Sequence, residues 1–465
     1  MTVRLHDTMA GTVRDFVPLE PGHVRVYTCG PTVYGAAHIG NFRTIISSDL
    51  LVRYLRYRGY RVTWVMNVTD IDDKIIKRAR EEGISVVELA ARYEGQFLAD
   101  LDRLGIARPD VMPRATQHIP QMVEQISKLL AGGHAYRTED GSIFFSIASW
   151  PAYGRLARLD PEGLRVTGRV EADEYGKDDV RDFALWKGPV EGEPSWETAI
   201  GPGRPGWHIE CSAMSTHYLG QPFDIHTGGV DLIFPHHEDE IAQSEAATGK
   251  TFVANWFHCG FLQMGGQKMA KSLGNIASVG ELMNRGISSR ALRLALMSAH
   301  YRTPLSFGDD SLTAAGSAID RLDALMSALT AYRSDCPDDG SLPALLDAAR
   351  SAFETALDDD LNISPALAAI FDLIRELNRR IDARVLSTAD AGRAIAFMRD
   401  LDRVLAIAPT ADDGLQPELQ KLLDERASAR AGKDWAASDR LRVALGERGI
   451  LVEDTRDGQR WRRAE

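Results

Sequence analysis

The sequence predicts an α/β protein: a parallel-sheet domain interrupted by an insertion, then a C-terminal α-helical bundle and a small separate end. Three observations predict it. Residues 24–29 (Val-Arg-Val-Tyr-Thr-Cys) read as a strand, and a loop with Gly30, Pro31 and Gly35 leads into Ile45, Ile46, Leu50, Leu51 and Leu55 at helical spacing. Strand-like runs return at Phe223–His226 and Trp256–Leu262, separated by a helix expected to begin near Pro235. From about residue 310 the pattern is almost wholly helical, with apolar residues every three or four positions in Ala318–Tyr332, Leu342–Leu357, Pro365–Ile381 and Ala391–Leu405.

Taken in order, Gly59 ends the first helix and the β-branched, aromatic run Tyr60–Val68 follows, which makes a strand–helix–strand unit of a Rossmann-like sheet. Such crossovers are right-handed, so the first loop falls at the carboxyl end of the sheet, where open α/β folds bind ligands. The chemistry is therefore expected near residues 29–41. Residues 108–205 mix short helical and strand patterns with turn runs such as Asp160-Pro161-Glu162-Gly163 and Gly201-Pro202-Gly203-Arg204-Pro205-Gly206, and read as an insertion between two halves of one domain. The stretch Ser334–Gly340 reads as a loop between bundle helices, and Cys336 within it as an ordinary thiol.

Composition narrows the function. With 465 residues the chain accommodates two to four domains, and 44% hydrophobic against 26% charged residues is ordinary for a globular protein. No run reaches the ~18 apolar residues of a membrane helix and the start lacks a secretory pattern, so a cytoplasmic protein with no membrane partner is expected. The four cysteines, 29, 211, 259 and 336, show no disulfide spacing, which favours metal or catalytic use. A net charge of −12 excludes an overall electrostatic grip on nucleic acid. Any RNA surface must be local. Residues 421–465 carry eleven Lys or Arg against nine Asp or Glu, opposite in sign to the body.

Three constellations carry chemistry. His38-Ile39-Gly40-Asn41 opens the first helix, where unpaired N–H groups and the positive end of the dipole suit a triphosphate, and Gly40 allows close approach. Lys268-Met269-Ala270-Lys271-Ser272 lies between Gly265-Gly266 and Gly274, placing two cations on a hinged loop that can close on pyrophosphate. His236 and Glu240 stand four apart after Pro235, a helix-start residue, hence on one face; with Cys211 and Cys29 they make a zinc set whose thiolates exclude magnesium and calcium. His208, His217, His226 and His237 are rival ligands, and Cys259 reads as a small apolar residue.

The first two motifs resemble the His-Ile-Gly-His and Lys-Met-Ser-Lys-Ser signatures of class I aminoacyl-tRNA synthetases, with Asn41 in place of the second His and Ala270 in place of the middle Ser. Cys29–Tyr34, Asn67–Lys74, Gly206–Ser212 and Gly228–Glu240 are similar to the signature blocks of the cysteinyl-tRNA synthetase family, and the likeness runs through nearly the whole chain. It implies one Zn2+ on Cys29, Cys211, His236 and Glu240, and ATP taken with Mg2+. His38, Asn41, Lys268 and Lys271 would be catalytic, and Gly40, Gly228, Gly229, Asp231 and Lys271 would hold the nucleotide. Thr69 and Trp207 would wall the amino-acid pocket, although a core role for Trp207 is open. The partners implied are L-cysteine, ATP and tRNA(Cys), for a monomer without an editing activity. The division expected is a catalytic half at 1–107, a connective insertion at 108–205, a second catalytic half at 206–309, the bundle at 310–410 and an anticodon-binding end at 411–465.

In that end, Trp435, Asp439 and Arg442 share one helical face, opposite Ala437, Leu441, Ala444 and Leu445. An exposed Trp among cations suits stacking on unpaired bases, and Arg430, Trp435, Asp439, Arg442 and Asp454 are the expected tRNA contacts; the alternative is that Trp435 caps a small subdomain. Two rival functions stay open: a cysteine ligase acting on an amino sugar, against which the Trp435 and Trp461 blocks count, and an inactive RNA-binding paralogue, against which His38, Lys271 and the four metal candidates count.

Overall fold

A computed structural model describes residues 2–159, 182–264, 267–268, 277–409, 417–455 and 458–463. At its centre four parallel strands lie in the order Val253–Cys259, Phe223–Gly229, His23–Thr28, Arg61–Met66. Side chains alternate across this sheet. Val24, Val26, Trp64 and Ile225 face one apolar layer, and Tyr27, Val65, Phe223 and Trp256 the other. Helix Ile39–Tyr57 covers the first face and helix Glu238–Thr248 packs into the second layer, so the chain winds both ways from the sheet centre. The winding reverses between the His23–Thr28 and Phe223–Gly229 strands, whose carboxyl ends therefore open on a crevice.

The expected α/β class is borne out, with local differences. The run Trp256–Leu262 is not one strand: Val253–Cys259 stays in the main sheet, while Leu262–Met264 pairs with Leu305–Phe307 in a second small sheet. Arg43 explains the break. Its buried guanidinium donates to the carbonyls of Gly260, Leu296, His300 and Thr303, and so takes acceptors out of the ladder. The helix expected from Pro235 begins instead at Glu238, because Phe234 is extended (φ −138°, ψ 132°) and residues 233–237 form a wider turn. An N-terminal hairpin, Arg4–Asp7 with Thr12–Asp15, had no signal beyond short alternation.

Within the insertion, Ala135–Arg137, Ile143–Phe145, Phe183–Lys187 and Arg204–Pro205 form an antiparallel sheet; its turn at 160–163 lies outside the described residues. The bundle helices are Asp309–Ala331, Ser341–Asp358, Ile363–Asp382 and Thr388–Leu405, and their apolar faces join the layer that covers the first face of the sheet. The C-terminal end has a core of its own: Leu423, Leu445, Ile450 and Val452, from two helices and a hairpin. Arg430 and Trp435 belong to different helices, Pro417–Ala431 and Trp435–Gly446, because Gly432 to Asp434 interrupt them and Asp434 caps the second.

Candidate active site and metal centre

Cys29 ends the first strand at the crevice, Cys211 comes from the second turn of helix Trp207–Leu219, and His236 and Glu240 come from the wide turn and the helix it leads into. Their ligand atoms converge. Cys29 Sγ stands 3.8 Å from Cys211 Sγ, 3.5 Å from His236 Nε2 and 3.7 Å from Glu240 Oε1, and the last two are 3.0 Å apart. Tetrahedral zinc with ordinary bond lengths would set two sulfurs about 3.8 Å, sulfur and imidazole about 3.6 Å, and imidazole and carboxylate about 3.4 Å apart. The four residues therefore fit the ion. Cys29, His226, His237 and Glu240 form a second compact set, with Cys29 Sγ 3.4 Å from His237 Nε2 and His226 Nε2 3.0 Å from Glu240 Oε2. It has one thiol instead of two, and His226 engages the carboxylate oxygen that faces away from His236, as a group orienting a ligand would.

Electrostatics agrees with a cation site. Cys211, His236 and Glu240 are buried, where lone charges are costly. The hydrogen bond from the Cys29 thiol brings Cys211 down to about 6, although burial opposes this. Burial would raise Glu240, but His226 and His236 hold it at about 2, and Glu240 with Cys211 outweighs burial to lift His236 to about 10. Cys29 is pushed up by burial and by Cys211. A thiolate, a carboxylate and an imidazolium thus share one small volume with the Cys29 thiol, and a divalent ion could replace the protons on His236 and Cys29.

A further layer surrounds these residues, built from three of the rival histidines, 208, 226 and 237, together with Asp239, Trp256 and His258, which the sequence did not single out. His236 Nδ1 lies 2.9 Å from His208 Nδ1, and His208 Nε2 is 3.3 Å from Asp239 Oδ2. His237 Nδ1 pairs with His258 Nε2 at 2.7 Å, and His226 stacks on Trp256. Burial, then the neighbouring His236, holds the His208 pKa well below the ordinary range. Burial pushes the Asp239 carboxyl up, and the Tyr153 hydroxyl opposes that. His217 lies elsewhere, against His118 and Tyr218. Cys259 is buried beside Ser47, as the apolar reading expects, and all four cysteines are free thiols.

Trp207 is 37% exposed, so it is no core residue; its ring stacks on His236 at 4.2 Å and roofs the cluster. Thr69 is buried, and its hydroxyl donates to Glu210 at 2.7 Å. The backbone of Thr69 also bridges to Thr32, which ties the loop after Cys29 to the loop after Met66.

At the helix start, His38 and Asn41 cap reciprocally: Asn41 N–H donates to His38 Nδ1, and His38 N–H donates to Asn41 Oδ1. Accepting at Nδ1 leaves the ring proton on Nε2. A Cβ at Gly40 would lie 2.9 Å from His38 Nδ1, so a side chain there would displace the imidazole. Both stems of the lysine loop reach this point, since Leu262 packs near Gly40 and Ile39 N–H donates to Ala277 O. Lys268 pairs through its backbone with Gln263, whereas Ala270 and Lys271 lie outside the described residues. Gly228 and Gly229 leave room for the protein's own groups: a Cβ would stand 2.6 Å from His237 Cε1 at the first and 2.4 Å from Asp231 Oδ1 at the second. Asp231 is exposed at the crevice rim.

In the C-terminal end Trp435 is 57% exposed, with the Arg430 guanidinium 5.7 Å from its ring centre, and Asp439 and Arg442 are exposed on the same helix. Asp454 is differently engaged: it receives Arg426 at 2.9 Å and Arg430 at 2.7 Å.

Known proteins resemble this chain over nearly its whole length. A family profile described as "tRNA synthetases class I (C) catalytic domain" matches residues 15–317, a "DALR domain" 352–408 and a "Cysteinyl-tRNA ligase anticodon binding domain" 412–462. A protein from Symbiobacterium thermophilum named "Cysteine--tRNA ligase" is 46% identical over 100% of both chains, and one of the same name from Koribacter versatilis is 42% identical over 100% of both. Among solved structures, methionyl-tRNA synthetase of Mycobacterium tuberculosis with methionyl-adenylate superposes with a TM-score of 0.59 at 18% identity, over 90% of this chain and 96% of that one. At that identity the likeness speaks for the fold.

Proposed function

Since this chain belongs to the cysteine–tRNA ligase family of class I aminoacyl-tRNA synthetases, we propose that it couples L-cysteine to ATP as cysteinyl-adenylate, using one zinc ion to select the thiol, and passes it to tRNA(Cys). The observation that carries the zinc reading is the convergence of Cys29, Cys211, His236 and Glu240 at ligand spacing. When bound there, zinc prefers a thiolate to an alcohol and lowers the thiol pKa, which separates cysteine from the nearly isosteric serine where an apolar pocket would not.

The chain's own residues position the reactants. Trp207 covers the cluster and closes the pocket over it, and Thr69 fixes Glu210 and the loop beneath. His38, with its Nε2–H held outward by Asn41, donates to phosphate oxygens at the helix start, and Lys268 and Lys271 neutralise the pyrophosphate, where Mg2+ taken up with ATP would add further positive charge. Gly40 keeps the imidazole in place, and Gly228, Gly229 and Asp231 form the turn that receives the nucleoside. The cysteine carboxylate oxygen attacks the α-phosphorus and pyrophosphate leaves; a terminal tRNA ribose hydroxyl then attacks the carbonyl and AMP leaves. No protein nucleophile is required.

At the other end Trp435, Asp439 and Arg442 meet the anticodon, and Asp454 holds Arg430 in position for it. The same reading divides the chain after residues 107, 205, 309 and 410, and makes it a cytoplasmic monomer. The anticodon-domain match favours tRNA over an amino sugar as acceptor. Cysteine-dependent exchange of pyrophosphate into ATP, run with and without a chelator, tests the proposal: exchange that depends on cysteine and is lost on zinc removal is expected, and exchange indifferent to zinc would defeat the metal reading.

A further inference from the structure

Among the described residues of the insertion, Tyr153 makes the hydrogen bond that leads toward the metal cluster. Tyr153 donates its hydroxyl to Asp239 Oδ1, and the other oxygen of Asp239 lies 3.3 Å from His208 Nε2, at ion-pair distance. His208 Nδ1 in turn meets His236 Nδ1 at 2.9 Å, which leaves His236 Nε2 to face Cys29 and Glu240. The chain of contacts therefore runs from the insertion to a ligand atom, and with an ion on His236 Nε2 each imidazole along it would offer one N–H and one lone pair. The insertion is fastened beside it. Glu238 accepts from the backbone N–H groups of Gly154, Leu156 and Ala157 at 2.7, 2.9 and 2.9 Å, and Phe183 of the insertion sheet packs edge-on against His208.

We propose that Tyr153 is a positioning residue for the zinc ligand His236, acting through Asp239 and His208, so that the connective insertion sets how tightly the cysteine-selecting ion is held. This rests on the zinc reading above. Metal-bound imidazoles are oriented by the group on their other nitrogen, and loss of such a partner weakens metal binding about 10- to 100-fold. Nothing else among the described contacts of Tyr153 with this helix is polar, so the hydroxyl can be removed while the ring still packs on Phe183 and Phe234.

The experiment compares purified full-length Tyr153→Phe with the unaltered protein by bound zinc and the rate of its loss to a chelator, together with the KM values for cysteine and ATP in pyrophosphate exchange. Zinc loss about 10-fold faster and a raised KM for cysteine with the KM for ATP unchanged are expected. Arg155→Ala, which removes only the nearby ion pair with Glu245, keeps normal zinc retention if the proposal holds. Zinc loss from Tyr153→Phe within twofold of the unaltered rate overturns it, as does an equal defect in Arg155→Ala, which would mean that docking alone matters. Should Tyr153→Phe fail to fold, His208→Gln must show the same fast zinc loss and the same cysteine-specific KM effect, or the relay is refuted. An unaltered protein that carries no zinc would instead defeat the functional reading on which this stands.

Discussion

Single residues at the crevice are placed by the cost of burying charge. Cys211, Glu240 and His236 would each be destabilising alone in that interior, and contacts of 3.0–3.8 Å among them and with Cys29 make the arrangement tolerable. Changing Cys211 or His236 to Ala should lower bound zinc from one per chain to near none, as measured by elemental analysis, and cut cysteine-dependent exchange more than about 100-fold, since even orienting groups account for 10- to 100-fold. Trp207 contributes differently. Its stacking on His236 is worth about 0.5–1.5 kcal/mol, so Trp207→Ala should raise the KM for cysteine about 2- to 10-fold and leave zinc content intact. The candidate ligands were visible as residue types at plausible spacing, but Asp239 and Tyr153 carried no such signal: they act through His208, and contacts at third remove leave no periodicity to read.

Among the elements, helix Ile39–Tyr57 joins the two functions of the sheet, because its first turn presents His38 and its body carries the hydrophobic layer beneath the bundle. Its capping box is an ordinary stability device that, on the proposed function, would also aim the His38 ring. Asn41→Ala should therefore cost about 1 kcal/mol in chemical denaturation and, beyond that, lower adenylation by freeing His38 to rotate. His38→Ala, which removes the donor itself, should reduce the exchange rate about 10²- to 10³-fold at saturating cysteine, while zinc content stays at the level of the unaltered protein. The strand and helix of this unit were legible because periods of 2 and 3.6 are local. The end of the Val253–Cys259 strand was not, because it depends on Arg43, more than 200 residues away in the chain.

On the scale of the whole molecule, the sheet and the bundle share one apolar layer, whereas among the described residues the C-terminal end is closed around four buried apolar side chains of its own. Adenylation and tRNA recognition should accordingly separate. A chain ending at residue 409 is expected to keep cysteine-dependent exchange and to lose most charging of tRNA(Cys), measured by aminoacylation at fixed salt. Within the intact protein, Trp435→Ala should lower kcat/KM for tRNA by about 1–3 kcal/mol of lost base stacking while exchange is unchanged.

From sequence alone came the class of fold, the order of its parts and the residue types of the site, because hydrophobic period, turn residues and motif spacing act over a few neighbours. Tertiary structure decided which histidines serve. Residues 208, 226, 236, 237 and 258 are chemically alike in the chain, and only their distances from Cys29 and Glu240 in the folded sheet separate the proposed ligand from the groups proposed to orient it. Ligation depends on where lone pairs point within about 2–4 Å, a precision that arises only when strands and helices distant in sequence pack against one another.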